Sequence, residues 1–456
     1  MTQVNQERKW YTGLFNSFEK ELNGSSETPL HRIRKQAISW FSENGFPSNR
    51  QEEWRFTNIS PIQEKSFERI DEIRLETLET KEVKPFQIQE DEIRLVFVNG
   101  CLQPSLSALS ALPAGVKVSG LQEALTAEAN IIENNLAKHA KYDENGFVAL
   151  NTAFLNRGAF IHVAKGVRID KPIHLLYLST KSAHERVVFP RNLIVAEEQS
   201  QVTVIESYGS LSEATCFINP VTEIVVAENA NVDHYKIQQQ SLATFHTALI
   251  QVHQKRDSVY TNFNIALGGS LARNDLNVIL DGRGAECILN GLYLTKGDQL
   301  IDNHSVIDHA KPHCNSHELY KGILDNQARA VFSGVIHVRK DAQKTDAIQS
   351  NQNLLLSEEA TVDTKPQLEI FADDVRCTHG GTVGQIEKNG VFYLRSRGLS
   401  LETAKELMIR AFAGEVTDLV KHPALRDYLE TLVFSQLVGG RLKPLLPTSP
   451  NNRVKS

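Results

Sequence analysis

The stretch RNLIVAEEQSQVTVIESYG, residues 191–209, is followed after a short break by VTEIVVAENANVDHYKIQ, residues 221–238. Each stretch contains two short runs rich in β-branched residues, separated by acidic or amide residues and one small residue. Apolar and polar positions alternate in these runs, which is typical of strands and not of helices. Similar runs continue from about residue 158 to about residue 392, and they predict a region built almost entirely of strands.

A turn motif recurs through this region at intervals of nearly constant length. The motif is a small residue, any residue, and then an apolar or small residue, and its copies begin at Ser200, Ala230, Ala285, Ala328 and Ala360, with a weaker copy at Ser258. The first three spacings are 30, 28 and 27 residues. Strands repeating at such a period, with no helices between them, indicate a solenoid. We therefore predict a mainly β fold with a right-handed parallel β-helix core.

Two other all-β architectures fit the pattern less well. A sandwich needs hairpin turns every 8 to 12 residues, and only Asp281-Gly282 and Lys388-Asn389-Gly390 suggest such turns. A propeller needs four strands per blade and a recurrent aromatic or glycine signature, which this sequence lacks. A β-helix has open ends, so each end requires a cap or a partner.

Helical patterns flank the predicted solenoid on both sides. Residues 1–157 are mostly helical by periodicity, with one predicted strand and turn at 93–100 and a packed connector around Trp54 and Phe56. Residues 393–456 form the third region, with two amphipathic helices and a tail from Lys443 predicted to be disordered. In the first of these helices Ser400 is the expected N-cap. The apolar residues of its expected stripe are Leu401, Ala404, Met408, Ala411, Phe412 and Leu419.

Composition and charge restrict which classes of partner the protein is expected to bind and in which cellular compartment it is expected to occur. The formal net charge of -6 and the pI of about 6.2 argue against a nucleic-acid-binding protein. The N-terminus lacks the apolar stretch of a secretory signal, and no segment has the length and apolarity of a membrane span. Five cysteines lie far apart without a CxxC pair, so we expect reduced thiols, no disulfide framework and a cytoplasmic protein.

The stretch DDVRCTHGGTVG, residues 373–384, brings a thiol and an imidazole close together. In a strand, Cys377 and His379 project from the same face and Thr378 from the other. An imidazole beside a thiol offers a route to a lowered thiol pKa and to nucleophilic or metal-binding chemistry. The glycines Gly380 and Gly381 allow a backbone, ligand or second chain to approach. The alternative is structural, with Cys377 a small core residue and His379 a hydrogen-bonded surface group.

A histidine-rich block between residues 302 and 322 is a second candidate. It contains His304, His309, His313, Cys314 and His317, which could supply three nitrogens and a sulfur to zinc. The spacing is irregular for a strand interrupted by Pro312, which favours polar residues along a solenoid face. Nucleotide-binding, hydrolase and metalloprotease motifs are missing from the sequence, because it contains no GxxxxGK[ST], GxSxG or HExxH.

Two blocks resemble the SufB/SufD family of iron–sulfur cluster assembly proteins. RCTHGGTVGQIEKNGVFYLRSRGLSLETAKELMIRAFAGEV, residues 376–416, is similar to its C-terminal signature, and KPHCNSHELYKGILDNQARAVFSGVIHVRKDAQKTDA, residues 311–347, to its central block. QEEWRFTN near the N-terminus is a further similarity, and the CTHG form resembles the SufD branch.

The resemblance implies a role for particular residues and partners. It implies a β-helix that pairs with SufB, and C-terminal helices that dock on the ATPase SufC, with Leu407, Met408, Ala411 and Phe412 as docking residues. His379 matches a histidine at the heterodimer interface that faces a cysteine of SufB and helps hold a nascent cluster, and Cys377 matches a neighbouring family cysteine. His379 is accordingly the expected metal ligand.

The function expected from the resemblance is a non-catalytic scaffold subunit of the SUF complex. Such a subunit would hold no stably bound cofactor alone, and a transient iron–sulfur cluster would form in the complex. Binding of a reduced flavin by the complex and homodimerisation of the lone chain are left open. The alternatives are a SufB-like scaffold that homodimerises and carries the cluster itself, and an enzyme that uses Cys377 and His379.

Overall fold

The computed structural model describes residues 3–22, 28–70, 78–109 and 112–443. The predicted disordered tail lies, from residue 444 onward, outside the described residues. Helices occur at both ends of the chain, as predicted. They are α1 (Gln3–Glu21), α2 (Pro29–Asn44), α3 (Ser60–Gln63), α4 (Thr80–Val83), α5 (Leu121–Ala127), α6 (Ala129–Asn135), α7 (Gly146–Ala153), α8 (Lys388–Ser396), α9 (Leu401–Thr417) and α10 (Pro423–Phe434).

Strands between these helical regions form two long sheets. Sheet A contains β1 (Glu68–Arg69), β4 (Val116–Gly120), β5 (Ala159–Val163), β7 (Arg186–Val188), β8 (Arg191–Ala196), β10 (Cys216–Ile218), β11 (Val221–Val226), β13 (Phe245–Gln254), β15 (Leu271–Leu280), β17 (Leu300–His309), β19 (Arg329–Val338) and β21 (Thr361–Ile370). Sheet B contains β2 (Ile93–Val98), β3 (Cys101–Leu102), β6 (Ile173–Ser179), β9 (Gln201–Ser210), β12 (Asn231–Gln239), β14 (Val259–Ala266), β16 (Glu286–Thr295), β18 (Asn315–Leu324), β20 (Asp346–Leu355) and β22 (Arg376–Gln385). A separate hairpin joins β23 (Leu437–Val438) and β24 (Arg441–Leu442).

The pairing of these strands makes the molecule a β-solenoid. Successive long strands alternate between the two sheets, and each pairs in parallel with the strand two positions later in the chain. Gln201 pairs with Asn231 and Asn231 with Val259, which are the predicted spacings of 30 and 28 residues. The solenoid of about eight turns confirms the predicted β-helix core, and the strand predicted at 93–98 is also confirmed.

The recurring turn has a specific backbone conformation. In the copies at Ser200, Ala230, Ser258 and Ala285 the residue before the small residue has a positive φ, as at Asn229 (57°) and Asp257 (52°). Asn and Asp tolerate this left-handed conformation better than most residues. The N–H of each such residue donates to a carbonyl of the next coil, as from Asn229 to Arg256 at 2.9 Å. The sequence repeat therefore marks a stack of hydrogen-bonded turns.

The N-terminal region covers the outer face of sheet A. Aromatic residues of α1, α2 and α7 pack against Phe217, Phe245 and Leu271 of the solenoid. The predicted connector is anchored here, because buried Trp54 lies 3.7 Å from the Arg273 guanidinium, which is itself fully buried and bound to Asp302. The N-terminal region and the solenoid thus share one core.

The C-terminal helices cover the outer face of sheet B. Ser400 caps α9 by accepting from Thr403 N–H, as predicted. The face of α9 that packs on the solenoid contains Ile409, Ala413 and Val416. This face differs from the predicted stripe, of which only Ala404 is fully buried. The difference arises because the solenoid surface, and not the average apolarity of the helix, selects which side is covered.

The two ends of the solenoid differ. At the first coil, β3 and β4 run antiparallel to their neighbours, and half-buried Leu102, Leu109 and Leu112 cover the interior. At the last coil, β21 and β22 each have a strand on one side only among the described residues. No helix in the described part of the chain is long and apolar enough to cross a membrane.

Candidate functional site

The strand β22 places Cys377 and His379 at the open end of the solenoid. It runs parallel to β20, so that Ala347 pairs with Cys377 and Gln349 with His379. Ala347 and Gln349 are buried on the inner face of β20. Cys377 packs partly buried against the same interior, whereas His379 is exposed. Because strand side chains alternate, both residues lie on the inner face, at the rim.

The electrostatic environment of Cys377 differs from the expectation of an activated thiol. Burial raises the pKa of the Cys377 thiol, and the carboxylate of Asp346 raises it further. Desolvation and a nearby negative charge both disfavour the thiolate. The direction of this pKa shift favours the structural alternative for Cys377, a small core residue, over an activated thiol in the chain by itself.

A column of polar side chains lies beneath His379 inside the solenoid. Gln349 is one coil below His379 in register, and Glu318 is one coil below Gln349. The Gln349 amide donates to the Glu318 carboxylate at 2.7 Å. Gly334 in the opposite sheet leaves room for this amide, since a Cβ there would lie 2.2 Å from Gln349 Nε2. His379 thus continues an internal polar column to the surface.

Glu318 is the titratable group of this column. Burial raises its pKa to about 7, against hydrogen bonds from Ser305 and Gln349 that lower it. Sequence reasoning missed Glu318 and Gln349 because polar residues on a strand are ordinarily assigned to the solvent face. The available signal was the register, since Glu318, Gln349 and His379 occupy equivalent positions of successive coils.

Two glycines on β22 have no role in the packing of this chain. A Cβ placed on Gly380 or Gly384 would meet nothing within 4 Å, and neither residue has a positive φ. Glycine weakens a strand because it loses more conformational entropy on folding and has no side chain to pack. The edge strand is therefore open to close approach by another backbone.

The histidine-rich block does not form one site. His309 is buried inside the solenoid and bonded to Ser316 at 2.9 Å, and His304 lies on the outer face with Asp302. His313 occupies a left-handed turn, and Cys314 is the buried small residue after it. Within the described ranges, no group of three or more His, Cys, Asp or Glu side chains is arranged to hold a metal ion.

The four predicted docking residues on α9 have different environments. Leu407 and Ala411 are exposed. Met408 is half-buried against Gly390 of α8, and the half-buried Phe412 ring lies 4.3 Å from Lys321 Nζ of the solenoid. Helix α8 adds two exposed aromatic residues, Phe392 and Tyr393.

Comparison with known proteins shows that two protein-family profiles match this chain. The profile described as SUF system FeS cluster assembly, SufBD core domain, matches residues 177–412, and that of the SufBD protein N-terminal region matches residues 5–175. The chain belongs to the SufBD family. This confirms the resemblance seen in the sequence, and the core-domain match includes both Cys377–His379 and the four residues of α9 that are predicted to dock on a partner.

Full-length relatives within the SufBD family place the chain near SufD. An iron–sulfur cluster assembly SufBD family protein of Synechocystis sp. is 34% identical over 91% of this chain and 93% of the relative. The iron–sulfur cluster assembly protein SufD of Escherichia coli is 31% identical over 92% of this chain and 95% of the relative. SufD of Bacillus subtilis is 26% identical over 89% and 93%, respectively. The chain is a SufD-like iron–sulfur cluster assembly protein.

Proposed function

We propose that this chain is a non-catalytic scaffold subunit that pairs with SufB through the open end of its solenoid and with the ATPase SufC through α8 and α9. The single observation that carries the proposal is the exposed His379 on an edge strand that, in the described part of the chain, has a neighbouring strand on one side only. The proposal places the chain in the cytoplasm, which suits five free cysteines.

The edge strands support pairing with a second solenoid. Both β21 and β22 are ten residues long, and long exposed edges are normally blunted or covered. Pro366 blunts β21, because proline cannot donate to a neighbouring strand. In β22, Gly380 and Gly384 leave the edge accessible. We assign β22 as the strand that lies closest to SufB.

The donor set at the rim suits a cluster that must leave again. Cys377 and His379 offer one thiol and one imidazole, whereas iron–sulfur clusters are usually held by four cysteine ligands, with histidine in some. The other donors would come from SufB. An interface site with donors shared between two chains can hold the cluster as cargo and release it when the chains move. The raised pKa of Cys377 disfavours the alternative of a thiol enzyme.

Substitution of His379 tests this part of the proposal. His379→Ala should leave folding and SufC binding unchanged, because the ring is exposed, and should reduce cluster formation in the complex at least tenfold. The matched control is Thr378→Ala, on the same strand and facing the other way. Visible absorbance after anaerobic reconstitution of the co-purified complex is the measurement. Equal cluster yields from the two variants would contradict a role for His379.

Docking of the ATPase is tested on the exposed apolar residues. Leu407→Gln should weaken SufC binding more than tenfold, because it places an amide where the interface needs an apolar side chain. Val438→Gln is the control, with 44% of Val438 exposed against 42% of Leu407. Calorimetric titration with SufC measures both. Equal affinities would place the docking surface elsewhere.

A SufB-like homodimer is the second candidate, because the same unpaired edges fit a second copy of this chain. In that case the isolated chain would form a dimer and hold a stoichiometric, stable cluster after anaerobic reconstitution. We expect an isolated chain without a stable cluster, and a homodimer that exchanges for the heterodimer when SufB is added. Mass measurement in solution with iron analysis distinguishes the two candidates.

A further inference from the structure

A cavity of about 810 Å³ lies at the closed end of the molecule, away from β22. Residues of α1, α2, α5 and α6 line it, together with Arg69 and residues 156–157. Its volume is within the range of small-molecule sites, roughly 300 to 1,000 Å³. Nothing in the proposed scaffold function uses it.

One wall of this cavity contains a buried cation without a counterion. Arg34 is 2% exposed, and its Nε donates to Leu155 O at 2.7 Å. Among the described residues its two Nη groups have neither an acceptor nor a carboxylate partner. Burial alone lowers the pKa of Arg34 to about 10. A buried charge is costly unless it is paired, so this guanidinium is available to an anion in the cavity.

A second guanidinium and an aromatic ring extend the polar wall. The ring of Phe18 lies between Arg34 and Arg69, with centroid distances of 5.8 Å and 5.1 Å. Arg69 is paired with Glu21, which also lines the cavity, so these two charges offset each other. Glu133 is exposed at the lining. Arg157, the third guanidinium of the lining, donates to Ile70 O and to Cys101 Sγ. Arg34 is therefore the guanidinium of the lining whose Nη groups remain for a ligand.

Apolar side chains form a second wall of the cavity, next to the polar residues Gln122, Thr126 and Asn156 of the lining. Leu30 lies one helical turn before Arg34 on α2, and thus on the same face. Leu125 of α5 and Ile132 of α6 complete this wall. Apolar side chains combined with a small number of polar and charged groups are the usual composition of a site that orients an amphiphilic small molecule.

We propose that this cavity binds a small anionic amphiphile. Its phosphate or carboxylate pairs with the Nη groups of Arg34, and its apolar body lies against Leu30, Leu125 and Ile132. Arginine suits such a head group, because its planar fork donates two parallel hydrogen bonds to phosphate or carboxylate oxygens.

Calorimetric titration of the full chain tests the proposal with four submicellar probes: octyl phosphate, octanoate, octanol and inorganic phosphate. Octyl phosphate or octanoate should bind at least tenfold more tightly than octanol and inorganic phosphate, and the stronger of the two identifies the head group. Arg34→Met should lower that affinity at least tenfold. Arg32→Met is the matched control, since Arg32 is exposed on the same helix, and it should bind like the native chain.

Equal binding of octanol and the anionic probes, or unchanged binding by Arg34→Met, would overturn the proposal. Ala129→Trp is the second variant, in case Arg34→Met does not fold. Ala129 is an exposed lining residue at the start of α6, and an indole there fills the cavity without removing charge. Loss of octyl phosphate or octanoate binding by this variant supports the site, and native affinity for both excludes it.

Discussion

The two ends of the solenoid differ in how the edges of their terminal strands are covered. At the closed end, antiparallel β3 and β4 and three half-buried leucines cover the first coil from within the chain. At the open end, β21 and β22 expose both backbone edge and apolar side chains, including Ile370 (39%) and Val383 (48%). The closed end is thus covered by residues of this chain, whereas the open end leaves strand edges and apolar side chains exposed. The open end is therefore where a partner is required.

The interior changes along the same axis. Near the closed end it contains Leu95, Ile161 and Ile194, which are fully buried and apolar. Near the open end Asn351 bonds to Tyr293 at 3.1 Å and accepts from Thr364 at 2.8 Å. Apolar contacts stabilise without direction, whereas hydrogen bonds orient side chains. Hydrogen bonds therefore orient the polar side chains of the interior near the open end.

The largest effect is expected at the closed-end side, from loss of a buried ion pair. Glu223 is fully buried, pairs with Arg191 at 2.6 Å, and accepts from the N–H groups of Ala137, His139 and Ala140. Glu223→Ala should lower the free energy of unfolding by about 4 kcal/mol, because it leaves a buried guanidinium and three donors unpaired. Urea denaturation followed by circular dichroism measures the change.

An exposed ion pair provides the control for Glu223. Glu228 pairs with Arg256 on the surface, so Glu228→Ala should lower the free energy of unfolding far less than Glu223→Ala does. Similar losses in the free energy of unfolding for the two variants would show that the region near the closed end does not depend on the buried pair of Arg191 and Glu223.

An effect of intermediate size, in this case a gain in stability, is expected in the polar column of the open end. The pKa of Glu318 is raised to about 7 by burial, so the folded chain binds more protons than the unfolded chain between about pH 4.5 and 7. The contribution of Glu318 to stability is therefore complete below that window and is lost as the pH rises through 7. Glu318→Gln should stabilise the chain by about 2 kcal/mol at pH 8 and by little at pH 4.5.

Denaturant titrations at several pH values isolate this effect as a difference from the native chain. Glu286→Gln, on the exposed start of β16, is the control and should leave the pH profile unchanged. If the stability of Glu318→Gln depended on pH as that of the native chain does, the buried Glu318 carboxylate would be stabilised by its surroundings at every pH, which would contradict the prediction.

The smallest effect on stability is expected at the exposed edge. Gly380→Val should change the free energy of unfolding by no more than about 0.5 kcal/mol, because open space surrounds the position and valine suits a strand. It should nevertheless weaken SufB binding at least tenfold by preventing close approach. Thr378→Val, on the same face, is the control. Pull-down with SufB is the measurement, and native binding by Gly380→Val would move the interface away from β22.

Local chemistry accounts for what could be predicted about the fold. The turn at Ala230 follows a left-handed Asn229 and precedes a buried Val232, and a left-handed residue also precedes the small residue at Ser200, Ser258 and Ala285. The strand containing Cys377 and His379 was predictable because alternation is a property of the backbone itself. The solenoid and its repeat length follow from such short-range rules.

Long-range packing decided what could not be predicted. Gln349 and Glu318 are polar, and alternation does not tell a polar interior from a solvent face. In α9, Ile409 and not Met408 packs in the apolar cluster on the solenoid, because contact with distant strands, and not the helix alone, decides which side is buried. The raised pKa of Cys377 also depends on Asp346, which is 31 residues away in the sequence and lies on the adjacent strand.

By itself the amino-acid sequence determined the strand periodicity, the turn chemistry, the helical flanks and the Cys-x-His pair, since each depends on neighbours within a few residues. The tertiary structure alone decided that one end is closed and the other open, that a polar column runs to His379, and that Arg34 is buried beside a cavity. These features depend on burial, and burial is created only when distant coils and helices come together.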